Sequence, residues 1–234
     1  LILGLNLPPS APWWIAVIGS ILAIVVVKQL FGGIGHNFLN PAMAARAILL
    51  VSYPAHMARY ILPLNSLAAS TADAVTGATP LATGSASYLD LFFGNIPGTI
   101  GEISAMMILV GFVYLLIRRV ITPVIPVLMV ASTALFTLLF GGDPLYAVLS
   151  GGLLFGAVFM ATDYSTNPMN LRGQVVFAIG AGLIVAVIRR FGTYPEGVTY
   201  GILIMNIATP LIDKYMKPRV FGHAKAEKGV AKND

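Results

Sequence analysis

The sequence predicts an all-α polytopic membrane protein with about seven transmembrane spans in this chain, and three observations predict it. Apolar residues make up 57% of the chain and charged residues 10%, a balance that no water-exposed surface sustains. The apolar residues are gathered into runs of helix length, separated by short polar or Gly/Pro stretches. Within and between those runs stand 24 glycines and 15 prolines, so broken helices are expected, their freed backbone groups satisfied inside protein or beside water. Residues 1–234 read as a single membrane domain. The chain opens at Leu1 inside an apolar segment already under way, which reads as a natural beginning that is missing rather than as a signal peptide.

Charge and cysteine count narrow the function classes. The net charge of +5 partly reflects a basic tail at 213–234, which suits cytoplasmic anchoring beside lipid and not nucleic-acid binding. With no cysteine, disulfides, thiolate-held iron–sulfur clusters and covalent c-type haem are excluded. His36, His56 and His223 are scattered without metal-ligand spacing. Redox work by this chain therefore falls to an organic cofactor.

The elements follow in order. Pro8, Pro9 and Pro12 make a turn, and Trp13-Trp14 anchor a membrane helix from about Trp13 to Leu30. Gly32, Gly33 and Gly35 then stop any helix. Asn40-Pro41 restarts one, with Asn as N-cap and Pro at the first helical position, running to about Tyr53. That segment is short for a full span, as a half-helix or re-entrant element would be; a tight turn between two helices reads equally well. No span is evident from Pro54 to about Ile103, and a loop this long is usually functional. Apolar segments follow from about Ile103 to Ile117, Pro123 to Phe140, Leu145 to Met160, Gln174 to Ile188 and Val198 to Ile212.

The 54–103 loop carries Asp73-Ala74-Val75-Thr76-Gly77-Ala78-Thr79-Pro80-Leu81. Gly77 and Ala78 leave a small-residue niche beside the Thr79 hydroxyl, and Pro80 stiffens the backbone of Thr79. A bulky group fits there without steric conflict; an ordinary Asx/ST turn is the alternative that this composition allows. Placing the basic tail inside also puts Arg172, Arg118-Arg119 and the Lys28/Arg46 pair inside, so the Thr79 loop faces outward. Arg189-Arg190 dissent, and read as snorkelling residues or as partners of something anionic.

Asp163, in Ala161-Thr162-Asp163-Tyr164-Ser165-Thr166-Asn167-Pro168, directly follows an apolar run. It reads either as an interfacial cap or as a cation site formed with Thr162 and Asn167 oxygens, hard ligands suited to Na⁺ or H⁺ coupling. No phosphate-binding Gly-rich loop, nucleophile elbow or zinc signature is present.

Three stretches carry a family resemblance: Phe31 to Ala47, Asp73 to Ala82 and Met160 to Pro168. The first reads FGGIGHNFLNPAMAARA, the second DAVTGATPLA, the third MATDYSTNP. Together they resemble the RnfD/NqrB family of membrane flavoprotein subunits, the Asp73 stretch looking more like RnfD, and the likeness runs over essentially the whole chain. The resemblance implies part of a ten-helix, inverted-repeat, urea-transporter-like fold whose first spans are absent here. The pattern D-x-x-[ST]-G-A-[ST] resembles a flavinylation acceptor, which implies FMN joined through its phosphate to Thr79, with Asp73, Thr76, Gly77 and Ala78 around it. A separate flavin transferase on the outer face would attach it, and a second, non-covalent flavin such as riboflavin is also implied. The expected role is an electron-relay and ion-translocation subunit of an Rnf-type ferredoxin:NAD⁺ oxidoreductase in the inner (plasma) membrane, not catalytic alone, with other membrane and peripheral subunits as partners. The alternatives are an NqrB-like subunit of a Na⁺-pumping NADH:quinone reductase, or a flavin-free channel or solute carrier.

Overall fold

A computed structural model describes residues 1–33, 35–61, 76–84, 86–192 and 196–216, with the side chains of 76, 77 and 82 outside that description. Asp73 and most of the basic tail lie outside the described residues.

The chain begins with a single turn, α1 (Ile2–Leu5), followed after the proline turn by α2 (Trp13–Ile21). This helix continues without a break into π geometry over Leu22–Gln29, closing with the Leu30 N–H on the Val25 carbonyl at 3.1 Å. Gly32, Gly33 and Gly35 all take left-handed φ, which is why the helix stops here and why glycine stands at these positions. Next, α3 (Pro41–Ser52) starts as the sequence predicts: the Asn40 carboxamide oxygen accepts from the N–H groups of Ala42 at 3.0 Å and Met43 at 3.2 Å. Its 12 residues rise about 18 Å, short of a bilayer core.

The segment read from sequence as loop, 54–103, contains small elements instead. They are α4 (Pro54–Met57), β1 (Tyr60–Ile61), β2 (Thr76–Gly77), α5 (Pro80–Thr83) and α6 (Tyr88–Phe93). The two short strands pair antiparallel, Tyr60 with Gly77 and Ile61 with Thr76. Helices of one or two turns show no hydrophobic period, so sequence reading passed over them.

Then come α7 (Ala105–Ile117) and α8 (Val124–Leu139). The apolar run expected to be continuous from Leu145 to Met160 is broken. It forms α9 (Pro144–Leu149), a turn at Ser150–Gly152 with Gly151 at φ 66°, and α10 (Leu153–Phe155), which widens into π geometry over Gly156–Met160. The chain closes with α11 (Leu171–Phe191) and α12 (Val198–Tyr215). Asn167-Pro168 starts no helix; α11 begins three residues beyond the proline.

The core lies where α8, α10, α11 and α12 meet, around Met129, Leu153, Met160, Phe177 and Ile202. Small residues bring the backbones together: a β-carbon at Gly182 would lie 2.9 Å from the Met129 carbonyl oxygen and against the Ser132 hydroxyl. The outer faces are apolar and exposed, with Val110, Val113 and Ile117 on α7, Leu135 and Leu138 on α8, and Ile207 and Leu211 on α12. A surface of this kind is suited to lipid, not water. Among the described residues, Leu171–Phe191 is long and apolar enough to cross a membrane by itself, and Trp13–Gln29, Pro41–Ser52, Ala105–Ile117 and Val124–Leu139 are shorter apolar helices.

Candidate functional site

Thr79 is the N-cap residue of α5, in extended conformation, and its hydroxyl makes no hydrogen bond to that helix. The side chain is half-buried, between exposed Ala78 and buried Pro80. Its surroundings are pinned from both sides. Upstream, Gly77 pairs with Tyr60. Downstream, the Tyr146 hydroxyl donates to the Pro80 carbonyl at 2.7 Å, and Gly84, at left-handed φ, turns its N–H back onto the same carbonyl at 2.8 Å.

Tyr146 meets Tyr88 edge-to-face, ring centroids 6.4 Å apart, and the Tyr88 hydroxyl donates to Asp143. The other Asp143 oxygen caps α9 through the N–H groups of Leu145 at 2.9 Å and Tyr146 at 3.2 Å. The Tyr88 bond holds the Asp143 carboxyl below its usual range, and the same bond pushes the Tyr88 phenol up. Asp143 is therefore a cap with a second job, keeping the tyrosine that holds Pro80 in place.

Thr79 lines a cavity whose other walls include Arg46, Thr99, Glu102, Arg189, Glu196 and the Gly151-Gly152 turn. The Arg46 guanidinium donates to both Glu102 oxygens, to Glu196 and to the Asn6 carboxamide. The side chains of Arg46 and Glu102 are only 3% and 8% exposed, so the pair is taken fully out of water. Burial also raises the Glu196 carboxyl and the Tyr60 phenol, favouring their neutral forms. Arg189 uses two donors on main-chain carbonyls, Ala147 at 2.6 Å and Ser150 at 3.3 Å.

Buried as it is between two carboxylates, Arg46 drops out of the count of cytoplasmic cations. Lys28, Arg118-Arg119 and Arg172 are left to carry that argument. Arg189, the sequence's dissenting cation, is held by carbonyls beside the cavity.

Seven buried side-chain polar atoms among the described residues lack a hydrogen-bond partner, and four of them belong to residues that line this cavity: Arg46 Nε, Thr99 Oγ1, Arg189 Nε and Glu196 Oε2. Orphaned groups concentrated in one place call for a polar partner there, water or ligand. The enclosed volume is about 40 Å³. A water needs roughly 10–15 Å³ on this measure, so the space takes a few waters or one phosphate-sized group and excludes a tricyclic ring. The residues around Thr79 thus fit the phosphate end of a nucleotide, with any ring outside the enclosed space.

Asp163 lies on a second, larger cavity of about 560 Å³, lined also by Lys28, Asn37, Asn40, Thr162 and Ser165. Its carboxylate accepts from the hydroxyls of Ser165 and Thr166, each at 3.3 Å, and Ser165 also lies 3.2 Å from the Asn37 carboxamide oxygen. Thr162, however, donates to the Val158 carbonyl at 2.7 Å, and Asn167 joins Asp163 through its backbone N–H at 3.2 Å. The structure thus gives Asp163 the hydroxyls of Ser165 and Thr166 as partners, while Thr162 and Asn167 lie close in the chain with their bonds elsewhere or on the main chain. Among the described residues there is no group of three or more His, Cys, Asp or Glu positioned to hold a metal ion.

The two cavities lie along the same two segments, with no lining residue in common. Asn40 to Ala42 and Phe159 to Ser165 line the larger one, while Met43, Arg46 and Gly151-Gly152 line the smaller. So α3 and the α10 π-helix run antiparallel between them, tied where the Asn40 carboxamide donates to the Met160 carbonyl at 3.0 Å. Asn40 and Arg46 stand about 9 Å apart along α3. The sequence signal for the missed residues was an ionisable side chain inside an apolar helix, Arg46 in PAMAARAILL.

The chain is similar to known proteins over nearly its whole length. The model of the NQR2, RnfD, RnfE family matches residues 1–222. The D subunit of the Na⁺-translocating ferredoxin:NAD⁺ oxidoreductase complex of Acetobacterium woodii is 50% identical, over 97% of this chain and 72% of that protein. Its counterpart in the proton-translocating ferredoxin:NAD⁺ oxidoreductase complex of Clostridium ljungdahlii is 42% identical, over 95% of this chain and 72% of that protein. A third relative, the D subunit of the ion-translocating oxidoreductase complex of Halorhodospira halophila, is 40% identical over 96% of this chain and 74% of its own length. With a family match across nearly its full length and relatives at this identity, the chain belongs to the NQR2, RnfD, RnfE family.

Proposed function

We propose that this chain is an electron-relay and ion-translocation subunit of a ferredoxin:NAD⁺ oxidoreductase complex in the inner (plasma) membrane, carrying FMN as a phosphoester on Thr79. The single observation that carries the reading is the Thr79 hydroxyl, unused by its own helix, at a cavity with four orphaned polar groups. The names of the relatives favour ferredoxin:NAD⁺ chemistry over quinone reduction. Those names differ in the ion, Na⁺ in one and the proton in the other, so membership of the family leaves the ion open.

Bound at Thr79, FMN would supply a carrier of one or two electrons. The residues of this chain do the rest. Tyr146 and Gly84 hold the Pro80 carbonyl and so fix the turn that presents the hydroxyl. The small residues Gly77 and Ala78 leave its N-terminal side clear. The larger cavity at Asp163 has a volume in the range that organic cofactors occupy, which suits a second, non-covalent flavin, and its carboxylate and hydroxyls suit a cation. Seven apolar segments serve as the spans, with the Thr79 turn outside and the tail inside, where a flavin transferase on the outer face would reach Thr79. Partners are the remaining subunits of the complex and the surrounding lipid.

Peptide mass spectrometry after co-expression with the transferase tests the assignment. Thr79→Ala is expected to give an inserted protein without covalent flavin, Thr79→Ser to retain it, and Thr76→Ala to retain at least part. FMN found on Thr76, or on no residue of this turn, overturns the reading.

A further inference from the structure

We propose that Arg189 is the positioning residue for the phosphoester on Thr79, its guanidinium holding the phosphate oxygens in the small cavity beneath the turn. The proposal rests on the reading that Thr79 carries FMN. A phosphate joined to the flavin and to a threonine is a diester with one negative charge, so burying it calls for one cation with donors to spare.

Three cations stand within reach of the turn or its neighbouring grooves, and the structure separates them. Arg46 is committed: it serves Asn6, both oxygens of Glu102, and Glu196. Arg190 is exposed and lines the groove beside Phe140, not the cavity. Arg189 lines the cavity, makes two bonds to neutral carbonyls, and among the described residues forms no ion pair. A guanidinium has five N–H donors, and here the Nε donor is buried without a partner. That is an arginine held in place with its charge and part of its fork unspent.

The space in front of it is kept open. At Gly151 a β-carbon would stand 3.1 Å from Arg189 Nη2 and 3.6 Å from Leu81 Cδ1. Leu81 is two residues beyond Thr79, so the missing side chain clears the gap between the guanidinium and the Thr79 turn. The enclosed volume, about 40 Å³, admits a phosphate and not the ring. Arg46 meanwhile takes both acids of the cluster, Glu102 and Glu196, as its ion-pair partners, so neither is paired with Arg189.

The test is a thermal cycle on the full-length protein, made with and without the flavin transferase, with FMN loading read by intact mass. In the wild type, flavinylation is expected to raise Tm by several degrees. In Arg189→Gln the rise is expected to vanish, whatever the variant's own starting Tm, and in Arg189→Lys to survive in part, since lysine supplies the charge without the fork. A purely structural role lowers both forms equally and leaves the rise intact; that outcome overturns the proposal. If Arg189→Gln does not accumulate, the wild type decides. In flavinylated protein with ¹⁵N-arginine, the diester ³¹P signal should be dephased by guanidinium nitrogens at hydrogen-bonding distance, and the effect should be lost in Arg189→Lys. A diester signal without dephasing overturns the proposal. Absence of any diester on Thr79 in the wild type overturns instead the reading on which it rests.

Discussion

Arg46 sits in the middle of α3, 3% exposed, answered by two carboxylates that arrive from other parts of the chain. Breaking such a pair by removing one partner leaves an uncompensated buried charge, which costs about 3–5 kcal/mol. Arg46→Ala should therefore lower thermal stability in detergent severely. Adding Glu102→Gln and Glu196→Gln to it should recover a large part of the loss, because the charges left behind are then removed. A triple variant no more stable than Arg46→Ala would show that Arg46 acts by packing and not by charge. At the other cavity, Asp163 holds two hydroxyls and faces open volume. If it binds the coupling cation, Asp163→Asn should keep the flavin and weaken the cation dependence of turnover by about 10–100-fold, the usual loss on deleting one charged ligand. Unchanged cation dependence would return Asp163 to the role of a turn residue. At this scale the sequence told least. Thr79 stands out in the sequence by its motif and Asp163 by its place at the end of an apolar run, both as candidates. Glu102 and Glu196 stand out by nothing in the sequence, since nothing local marks a carboxylate that will meet an arginine 56 or 150 residues away.

At the scale of elements, α5 and α9 behave as one device. Asp143 caps α9 and accepts from Tyr88, and Tyr146 of α9 holds the Pro80 carbonyl at the start of α5. Because the Asp143 carboxyl is depressed in the folded protein, its contribution is full above the ordinary aspartate range and is lost as pH falls through the lowered value. Hydrogen exchange at the Leu145 and Tyr146 amides should thus be protected at neutral pH and speed up in acid. Tyr88 is the largest cause of the depression, so Tyr88→Phe should move that loss of protection to higher pH. An unshifted profile would mean that the tyrosine does not reach the carboxylate in solution. The helix start at Asn40-Pro41 was readable because its cap acts within three residues, and Asp143 caps α9 in the same way. The break at Ser150–Gly152 was not readable, because side chains at Gly151 and Gly152 are absent for the sake of distant neighbours: a β-carbon at Gly152 would lie 2.7 Å from Glu102 Cδ.

For the whole molecule, composition alone declared a helical membrane protein, and the exposed apolar faces of α7, α8 and α12 agree with it. Orientation is a separate matter, resting on Lys28, Arg118-Arg119, Arg172 and the tail once Arg46 is withdrawn. A cysteine introduced at Ser85 should react with an impermeant maleimide in intact cells, and one at Ala226 should not. Reversed labelling would overturn the orientation, and with it the access of an exported transferase to Thr79. The antiparallel arrangement of α3 and α10 between two cavities was beyond sequence reading, since it depends on a contact between Asn40 and Met160, 120 residues apart.

The Arg46 cluster also sets a timetable for biogenesis. A ribosome delivers α3 long before it delivers Glu196, and a lone guanidinium in a short apolar helix is poorly tolerated by hydrocarbon. Until the loop after α11 emerges, Arg46 has Glu102 as its only acidic partner from this cluster, and before that it has none. On that account the early segments should wait near the translocon or at the interface until Glu102 emerges, and Glu196 joins the cluster only with the last pair of helices. Closure of the fold and completion of the Arg46 cluster are the same event.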